Sequence, residues 1–437
     1  MQGEHTLRAG ITAIEFYAGG GGFSRAFLEA LTLLGWSGRL LLAVNHDPEA
    51  IQTHRQNFPD TEHRQANVEQ LVMEDLADAL VLFGSPECRC HANAQGQKHH
   101  QRRKRQLVLW TDAHTLSEAE KSRASMWQMY EAARAKMTQE GKFQVVLVEN
   151  IVEAATRWAD HDDWVEAFTS LGYRYQGLFL NARCFGVPQN RDRYFAVFTL
   201  ATLPVPDLDL RPQAPCLACG QAVAAAQCWK PAVTRRQGKY RTHYDYRCPA
   251  CHEVVEPFFR PAVSFLDLAD RGQRIGERTR PLCANTRRRI EEGLAHFCRQ
   301  GQVRPPQAYD VPDDLPPVLP FLVKYNSNGK AESIFQPLGT VSSRDRYGLV
   351  FLPEDWTPGT IPALEACSFR MLSPGEVQRA MCLHDLVISR RKNTIIKQCG
   401  LAVPPPLAIA ILLRLLPILA HAAVDHSPSQ ERQECSA

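Results

Sequence analysis

The stretch TAIEFYAGGGGFS, residues Thr12–Ser24, contains the pattern from which the fold can be predicted. Its first six residues, through Tyr17, predict a β-strand, and the glycines Gly19–Gly22 predict a turn that ends it. A helical pattern follows from Arg25 to Leu34. A glycine run alone is often a flexible loop. Between a strand and a helix, however, it forms the first unit of a Rossmann-like sheet, in which the backbone approaches a ligand at the helix N-terminus.

Further apolar segments predict the other strands of an open α/β sheet. They are Arg39–Val44, a short segment before Asn67, Leu80–Phe83, Phe143–Asn150, Leu178–Asn181 and Arg193–Thr199, with helices predicted at Pro48–Asn57 and Ser117–Thr138. Open α/β sheets bind their ligands at the carboxyl ends of the strands. The residues that follow each strand are therefore candidates for a functional site.

The strand Leu80–Phe83 is followed by the segment GSPEC, which ends in Cys88. Proline lacks an N–H group and constrains the residue before it, so Cys88 is predicted to lie on a loop at the carboxyl end of the sheet. A thiol held there can act as a nucleophile. The alternative for any single cysteine is a small buried hydrophobe.

Acidic side chains follow two other predicted strands. Asp47 lies where dinucleotide folds place a carboxylate that binds ribose hydroxyls, but it also precedes Pro48 and is suited to cap the next helix. Glu149 directly follows four apolar residues. It is interpreted either as the cap of the next turn or as a functional carboxylate.

Length and composition favour a globular protein of two or three domains, with 437 residues of which 44% are hydrophobic. We expect a soluble, cytoplasmic protein with reduced cysteines, because no secretory leader precedes the first strand. The apolar run Ala402–Val424 contains Arg414 and four prolines, which predicts a core helix and no membrane span. The net charge of +3 indicates no partner, whereas the cluster Lys98–Arg105 is locally basic.

Six blocks occur in an order that resembles one enzyme family. They are FYAGGGG, SPEC, EN, FGVPQNRDR, RMLSPGE and GLAVPP, beginning at Phe16, Ser85, Glu149, Phe185, Arg370 and Gly400. The chain is similar to the DNA (cytosine-5)-methyltransferases over about residues 12–200 and 366–416. It resembles most the bacterial and phage members that have Ser-Pro-Glu-Cys in place of Pro-Pro-Cys-Gln.

The resemblance implies a catalytic role for several residues. Cys88 would add to carbon 6 of a flipped-out cytosine, and Glu149 would neutralise charge at ring nitrogen 3. Arg193 would hold the exocyclic oxygen, while Arg191 would support the loop or bind a phosphate. The basic segment Lys98–Arg105 would close over DNA, although a solvated charge run is the alternative.

S-Adenosylmethionine is the cofactor that the resemblance implies. Its contacts are expected from Phe16, Gly19, Gly21, Gly22, His46, Asp47, Asn67 and Pro86. The chain departs from the family at Asn45 and Asn67, where the family has acidic residues, at Arg89, where it has glutamine, and at Leu401, where it has asparagine.

Two Cys-x-x-Cys pairs lie between the blocks, formed by Cys216, Cys219, Cys248 and Cys251. This spacing predicts a structural zinc ribbon, with a redox role as the alternative and Cys228 as a substitute ligand. Basic and aromatic residues surround the pairs: Trp229, Lys230, Arg235, Arg236, Lys239, Tyr240, Arg241, His243, Tyr244 and Arg247. They suit contacts with phosphates and bases, or, alternatively, form a charged surface over aromatics packed on the metal site.

We therefore expect an α/β protein with a Rossmann-like methyltransferase sheet and a second, smaller target recognition domain. Residues 1–200 and 366–424 would form the catalytic domain, residues 201–365 the recognition domain with its ribbon at 214–256, and residues 425–437 a polar tail. The expected activity is cytosine-5 methylation of double-stranded DNA by a monomer, with a restriction endonuclease as a partner. The alternatives are an RNA cytosine-5 methyltransferase and a catalytically impaired DNA-binding protein.

Overall fold

The computed structural model describes residues 10–87, 118–137, 141–325 and 329–420. Its largest element is a seven-stranded sheet. The strands are β1 (Ile11–Phe16), β2 (Gly38–Asn45), β3 (Glu62–Gln65), β4 (Val81–Gly84), β5 (Val145–Asn150), β6 (Tyr173–Asn181) and β8 (Asp192–Leu200). They are arranged in the order β3-β2-β1-β4-β5-β8-β6, and β8 is antiparallel to both of its neighbours. The predicted α/β sheet is thereby confirmed.

Helices cover this sheet because its central strands are apolar on both faces. Every residue of β4 and β5 is buried, as expected for parallel strands between helical layers. The helices are α1 (Gly22–Leu34), α2 (Pro48–Asn57), α3 (Glu118–Met137), α4 (Val152–Thr156) and α5 (His161–Ser170). The carboxyl ends of β1, β2, β4 and β5 consequently lie at one edge of the sheet.

A second, antiparallel sheet follows in the chain. Its strands are β14 (Gln273–Arg274), β15 (Phe321–Lys324), β16 (Ala331–Ser333), β18 (Tyr347–Phe351) and β19 (Ser368–Met371), packed against α6 (Ala284–Gln300). The helix approaches closely at Gly293, where a Cβ atom would lie 2.3 Å from the Phe321 ring. This sheet continues past residue 365, the predicted end of the recognition domain, because β19 pairs with β14 and β18.

The cysteine-rich region forms a small antiparallel unit. It contains β9 (Gln213–Cys216), β10 (Gln221–Ala224), β11 (Ala226–Trp229), β12 (Tyr244–Arg247) and β13 (Val254–Val255). Its buried residues belong to the same apolar cluster as the seven-stranded sheet. The Gln227 side chain donates a hydrogen bond to the Phe179 carbonyl oxygen on the edge strand β6, at 2.8 Å. The unit is thus packed onto the first sheet.

The last of three C-terminal helices returns to the first sheet, whereas the two before it pack with the second sheet. The three helices are α7 (Pro374–Ala380), α8 (Lys392–Leu401) and α9 (Pro405–Leu415), and α9 packs against α1. The helical region Lys392–Ala420 has the length and composition to cross a membrane, yet 61% of its apolar window is buried inside the protein. Two short strands, β7 (Gln189–Asn190) and β17 (Leu338–Gly339), pair in parallel and connect the two halves of the chain.

A buried ion pair joins β19 to α7. The Arg370 guanidinium contacts both carboxylate oxygens of Glu376, at 2.7 and 2.8 Å, and Glu376 is 0% exposed. Burial alone would raise the pKa of Glu376, but Arg370 and the backbone N–H groups of Ser373 and Asp267 lower it below the ordinary value of 4.5. The charged pair is therefore the form that stabilises the fold.

Replacing Glu376 with glutamine should lower the free energy of unfolding by about 3–5 kcal/mol, because it leaves the Arg370 charge buried without its partner. A carboxylate with a depressed pKa stabilises the fold above its unfolded-state pKa and loses that contribution as the pH falls through its folded-state pKa. The difference between the wild type and Glu376→Gln should therefore shrink below pH 4.5.

Urea unfolding at several pH values measures this difference. Glu354→Gln is the matched control, because Glu354 pairs with Arg271 on the surface and is 83% exposed. Equal effects of the two substitutions at pH 7 would contradict the assigned role of the buried pair.

Candidate functional site

Glu149 and Arg193 form an ion pair where β5 and β8 lie side by side. Glu149 is opposite Phe195 in the antiparallel register, so Arg193 is its diagonal neighbour on the same face. Arg193 Nε lies 2.8 Å from Glu149 Oε1, and the two side chains are only 10% and 7% exposed. Arg193 Nη1 also donates to the Asp192 carbonyl oxygen at 2.7 Å. Two of the predicted catalytic residues are thus in contact.

The loop that begins after β4 is tied to this pair. Gly84, the last residue of β4, pairs with Val148. The Asn150 side chain donates to the Pro86 carbonyl oxygen at 3.3 Å, and its own carbonyl oxygen accepts from the Ile151 N–H at 2.8 Å. Pro86 therefore lies beside the residue that follows Glu149. The predicted nucleophile Cys88, together with Arg89, His91 and Lys98–Arg105, lies outside the described residues.

The glycine turn after β1 leads into α1 as expected. Gly21 has a φ of +96°, a left-handed conformation that favours glycine, and it is the N-cap of α1. A Cβ atom on Gly22 would lie 2.3 Å from the Val403 carbonyl oxygen, so α9 and its preceding loop require glycine there. A Cβ atom on Gly19 would meet no atom within 4 Å. The backbone at Gly19 is consequently open to a ligand.

Phe16 does not lie at this turn. Its side chain is 0% exposed in the core of the first sheet, because Phe16 is still part of β1 and pairs with Val44 and Gly84. The next residue, Tyr17, leaves the strand with a left-handed φ of 57° and donates through its hydroxyl to the Ser125 carbonyl oxygen at 3.0 Å. The expectation that Phe16 contacts the cofactor is therefore corrected, and Tyr17 is the aromatic residue of the turn.

Polar residues after β2 have different roles. The Asn45 side chain donates to the Ala18 carbonyl oxygen at 2.7 Å and fixes the start of the glycine turn. The Asp47 carboxylate caps α2 by accepting from the Glu49 N–H at 2.9 Å, and it pairs with Lys397 at 2.6 Å. Asp47 is therefore the N-cap of α2, as the capping interpretation expected. Its carboxylate already contacts the Glu49 N–H and the Lys397 side chain.

His46 and Asn67 remain exposed at the carboxyl edge of the sheet. His46 Nε2 lies 3.9 Å from the Glu87 carboxylate, one residue before Cys88. Burial raises the pKa of Tyr17 well above its ordinary value, and the negative charges of Glu69 and Glu87 raise it further. The segments that follow β1, β2, β3 and β4 therefore lie close to one another at this edge of the sheet.

Gln398 is a residue that the sequence reasoning missed. It is 6% exposed, and its side-chain Nε2 and Oε1 atoms have no hydrogen-bond partner among the described residues. Its Oε1 lies 3.1 Å from the position that a Cβ atom of Gly20 would occupy. A buried amide without partners beside a glycine turn suits a polar ligand. The signal in the sequence that could have identified Gln398 is its position two residues before the GLAVPP block.

Arg191 connects distant segments of the chain through hydrogen bonds. Its guanidinium donates to the carbonyl oxygens of Val341 at 3.0 Å, Gly400 at 3.0 Å and Ala402 at 3.2 Å. Arg191 is 2% exposed. The structure therefore gives Arg191 a supporting role, which is one of the two roles expected from the sequence, the other being a phosphate contact.

The four predicted ligand cysteines form one cluster. Their sulfur atoms all lie within 4.8 Å of one another. Cys216 and Cys251 are 3.5 Å apart, and Cys219 and Cys248 are 3.7 Å apart. A tetrahedron of sulfurs about 2.3 Å from a zinc ion has edges of about 3.8 Å. The arrangement fits Zn²⁺.

Most of the basic and aromatic residues of the ribbon contact other residues of the chain. Tyr240, Tyr244 and Tyr246 are buried in the common core. Four of the basic side chains pair with carboxylates: Lys230 with Asp245, Arg235 with Asp162, Lys239 with Glu153 and Arg241 with Glu256. These residues were expected to contact phosphates and bases. The structure instead supports the alternative of a charged surface over packed aromatics.

Comparison with known proteins identifies one family. Residues 11–214 match the family described as C-5 cytosine-specific DNA methylase. No protein with a curated description matches the chain. The resemblance read from the sequence blocks is confirmed over this range.

Solved structures share the fold over nearly the whole chain. One is a candidate DNA modification methyltransferase encoded within an E. coli prophage, with 15% identity and a TM-score of 0.50. Others are a DNMT2 variant from Spodoptera frugiperda, with 15% identity and a TM-score of 0.50, and the methyltransferase EhMeth of Entamoeba histolytica, with 10% identity and a TM-score of 0.51. Each comparison covers 94% of this chain and 99% of the other. At these identities the likeness concerns the fold.

Proposed function

We propose, from the match of residues 11–214 to the C-5 cytosine-specific DNA methylase family, that the protein methylates carbon 5 of cytosine in double-stranded DNA. The observation that carries the proposal is the Glu149–Arg193 ion pair beside the Asn150–Pro86 contact. It sets an acid and a cation next to the loop that leads to Cys88. The steps below follow from these positions.

Carbon 5 of cytosine is a poor nucleophile until a thiolate adds to carbon 6, and Cys88 is assigned to this addition. Cys88 follows Pro86 by two residues in the sequence. The Pro86 carbonyl oxygen accepts a hydrogen bond from the side chain of Asn150, the residue after Glu149. This connectivity supports the assignment of Cys88 as a thiol that acts near Glu149. After methyl transfer, loss of the carbon 5 proton allows the thiolate to leave.

Glu149 is assigned to the ring nitrogen 3 of the target cytosine. In its protonated form the Glu149 carboxyl group donates a proton to this nitrogen and neutralises the charge that develops when carbon 6 is attacked, and the carboxylate that remains is the form that pairs with Arg193. Arg193 holds the carboxyl group at 2.8 Å, and its remaining N–H groups suit the exocyclic oxygen of the base. The target base must leave the duplex, because these atoms are inaccessible in stacked DNA.

S-Adenosylmethionine supplies the methyl group as an electrophile when it is bound. The open backbone at Gly19 and the unpartnered amide of Gln398 fit this cofactor. Exposed His46 and Asn67 at the ends of β2 and β3 suit its ribose and adenine. We assign cofactor binding to this edge of the sheet, with Asp47, whose carboxylate also pairs with Lys397, as a further candidate for the ribose contact.

Duplex DNA is the proposed substrate because of the second sheet. Five arginines lie at or near the start of α6: Arg278, Arg280, Arg287, Arg288 and Arg289. Arg287 pairs with Glu365 and Arg288 with Glu292, so the exposed Arg280 is the member of this cluster that best suits a phosphate contact. Transfer of a tritiated methyl group to duplex DNA and to RNA, followed by bisulfite sequencing of the methylated DNA, tests the choice of polymer. Transfer to RNA alone would overturn it.

Substitution of the proposed catalytic residues should stop methyl transfer while leaving DNA binding intact. Cys88→Ala should lower the rate to background because no covalent activation remains, and Glu149→Gln should lower kcat by about 10²- to 10⁴-fold. Cys228→Ala, which removes a thiol on β11, is the matched control and should keep full activity. The proposal fails if Cys88→Ala retains methyl transfer.

We also propose that the cysteine cluster binds structural zinc, on the basis of the sulfur distances. Cys216→Ser and Cys248→Ser should reduce the zinc content of purified protein to background, because each removes one of four thiolates. Cys228→Ser should retain zinc, since Cys228 lies outside the cluster. Elemental analysis by mass spectrometry measures the difference. Retention of zinc by both ligand variants would exclude this site.

A further inference from the structure

The ribbon contacts the segments that carry Glu149 and Arg193. Lys239 Nζ lies 2.7 Å from the Glu153 carboxylate, whose side chain is 9% exposed. Glu153 belongs to α4, which begins two residues after the end of β5. This ion pair therefore holds the chain immediately beyond Glu149.

Tyr240, the residue after Lys239, contacts the segment that carries Arg193. The Tyr240 N–H donates to the Asp192 carboxylate at 3.0 Å. Asp192 directly precedes Arg193, and its carbonyl oxygen accepts from Arg193 Nη1 at 2.7 Å. The Asn181 side chain also donates to the Asp192 carboxylate at 2.9 Å. Two successive ribbon residues thus hold both segments that support the ion pair.

This corner has a fixed shape. The Lys239 N–H donates to His243 Nδ1 at 2.9 Å, and the His243 N–H donates to the Lys239 carbonyl oxygen at 2.8 Å. A Cβ atom on Gly238 would lie 2.3 Å from the His243 ring, so the close approach requires glycine. The corner residues therefore move together with His243.

The corner is continuous with the cysteine cluster. His243 is followed by β12, which spans Tyr244–Arg247 and ends next to Cys248. Tyr244 and Tyr246 are 0% exposed, so β12 is rigidly packed. An ion held by the four cysteines is thereby coupled to the corner through one short strand.

We propose that Lys239 and Tyr240 form a positioning element for the Glu149–Arg193 pair, and that zinc binding at the ribbon maintains it. This inference rests on the proposed function of that pair. According to this inference, the zinc ribbon holds the catalytic residues in position. A ribbon that only contacts DNA would leave the rate of the chemical step unchanged. Neither Lys239 nor Tyr240 touches the reacting atoms.

The test compares Lys239→Met with Arg235→Met in the full chain. Arg235 also pairs a ribbon cation with a carboxylate, Asp162 on α5, but both side chains are over 60% exposed and neither adjoins Glu149 or Arg193. Lys239→Met should lower kcat about tenfold, since small misplacements of catalytic groups are costly. It should leave KM for DNA and for S-adenosylmethionine within about twofold. Lys239→Arg should restore kcat, and Arg235→Met should leave it unchanged.

A second readout does not depend on activity. Hydrogen–deuterium exchange should be faster in Lys239→Met, and after removal of zinc from the wild type by a chelator, in peptides covering residues 150–156 and 190–194. Arg235→Met should leave exchange there unchanged. If the wild type fails to transfer methyl groups, the proposed function is wrong, but the contact between Lys239 and Glu153 is not affected by that result. An active wild type whose kcat and exchange are insensitive to Lys239→Met overturns the positioning role.

Discussion

The buried ion pair between Glu149 and Arg193 is the interaction on which the account of this protein depends. Its side chains are 7% and 10% exposed, and removing a carboxylate or a guanidinium from water costs several kcal/mol per ion. That cost is offset only when the geometry is good and further hydrogen bonds are made. The pair therefore requires surroundings that are held in fixed positions.

Segments from distant parts of the chain supply these surroundings. Asn150 ties the end of β5 to the loop after β4, and Arg191 ties the start of β8 to the region after α8. The ribbon adds Lys239 and Tyr240 from the outer edge. Arg191 and the ribbon corner therefore contact segments that adjoin the pair in the sequence.

The sequence allowed prediction of features that depend on local patterns. Apolar runs located the central strands, and the spacing of two Cys-x-x-Cys pairs located the cluster whose sulfurs lie within 4.8 Å. Side-chain partners at long sequence separation were not predictable. Arg191 contacts Val341, 150 residues away, and Lys239 pairs with a glutamate on α4, 86 residues away. Phe16 was misassigned because the apolar pattern does not show where the strand ends, and Phe16 is still paired with Val44 and Gly84 inside the sheet.

The central claim is that a cysteine thiolate attacks an extruded cytosine beside this ion pair. Fluorine at carbon 5 leaves no proton to remove after methyl transfer, so the covalent adduct should persist. The most direct measurement is therefore mass spectrometry of the protein after incubation with S-adenosylmethionine and duplex DNA in which every cytosine is 5-fluorocytosine. The account predicts an adduct on Cys88 that forms only with the cofactor present and is lost in Cys88→Ala. An adduct on another cysteine, or methyl transfer without any adduct, would contradict it.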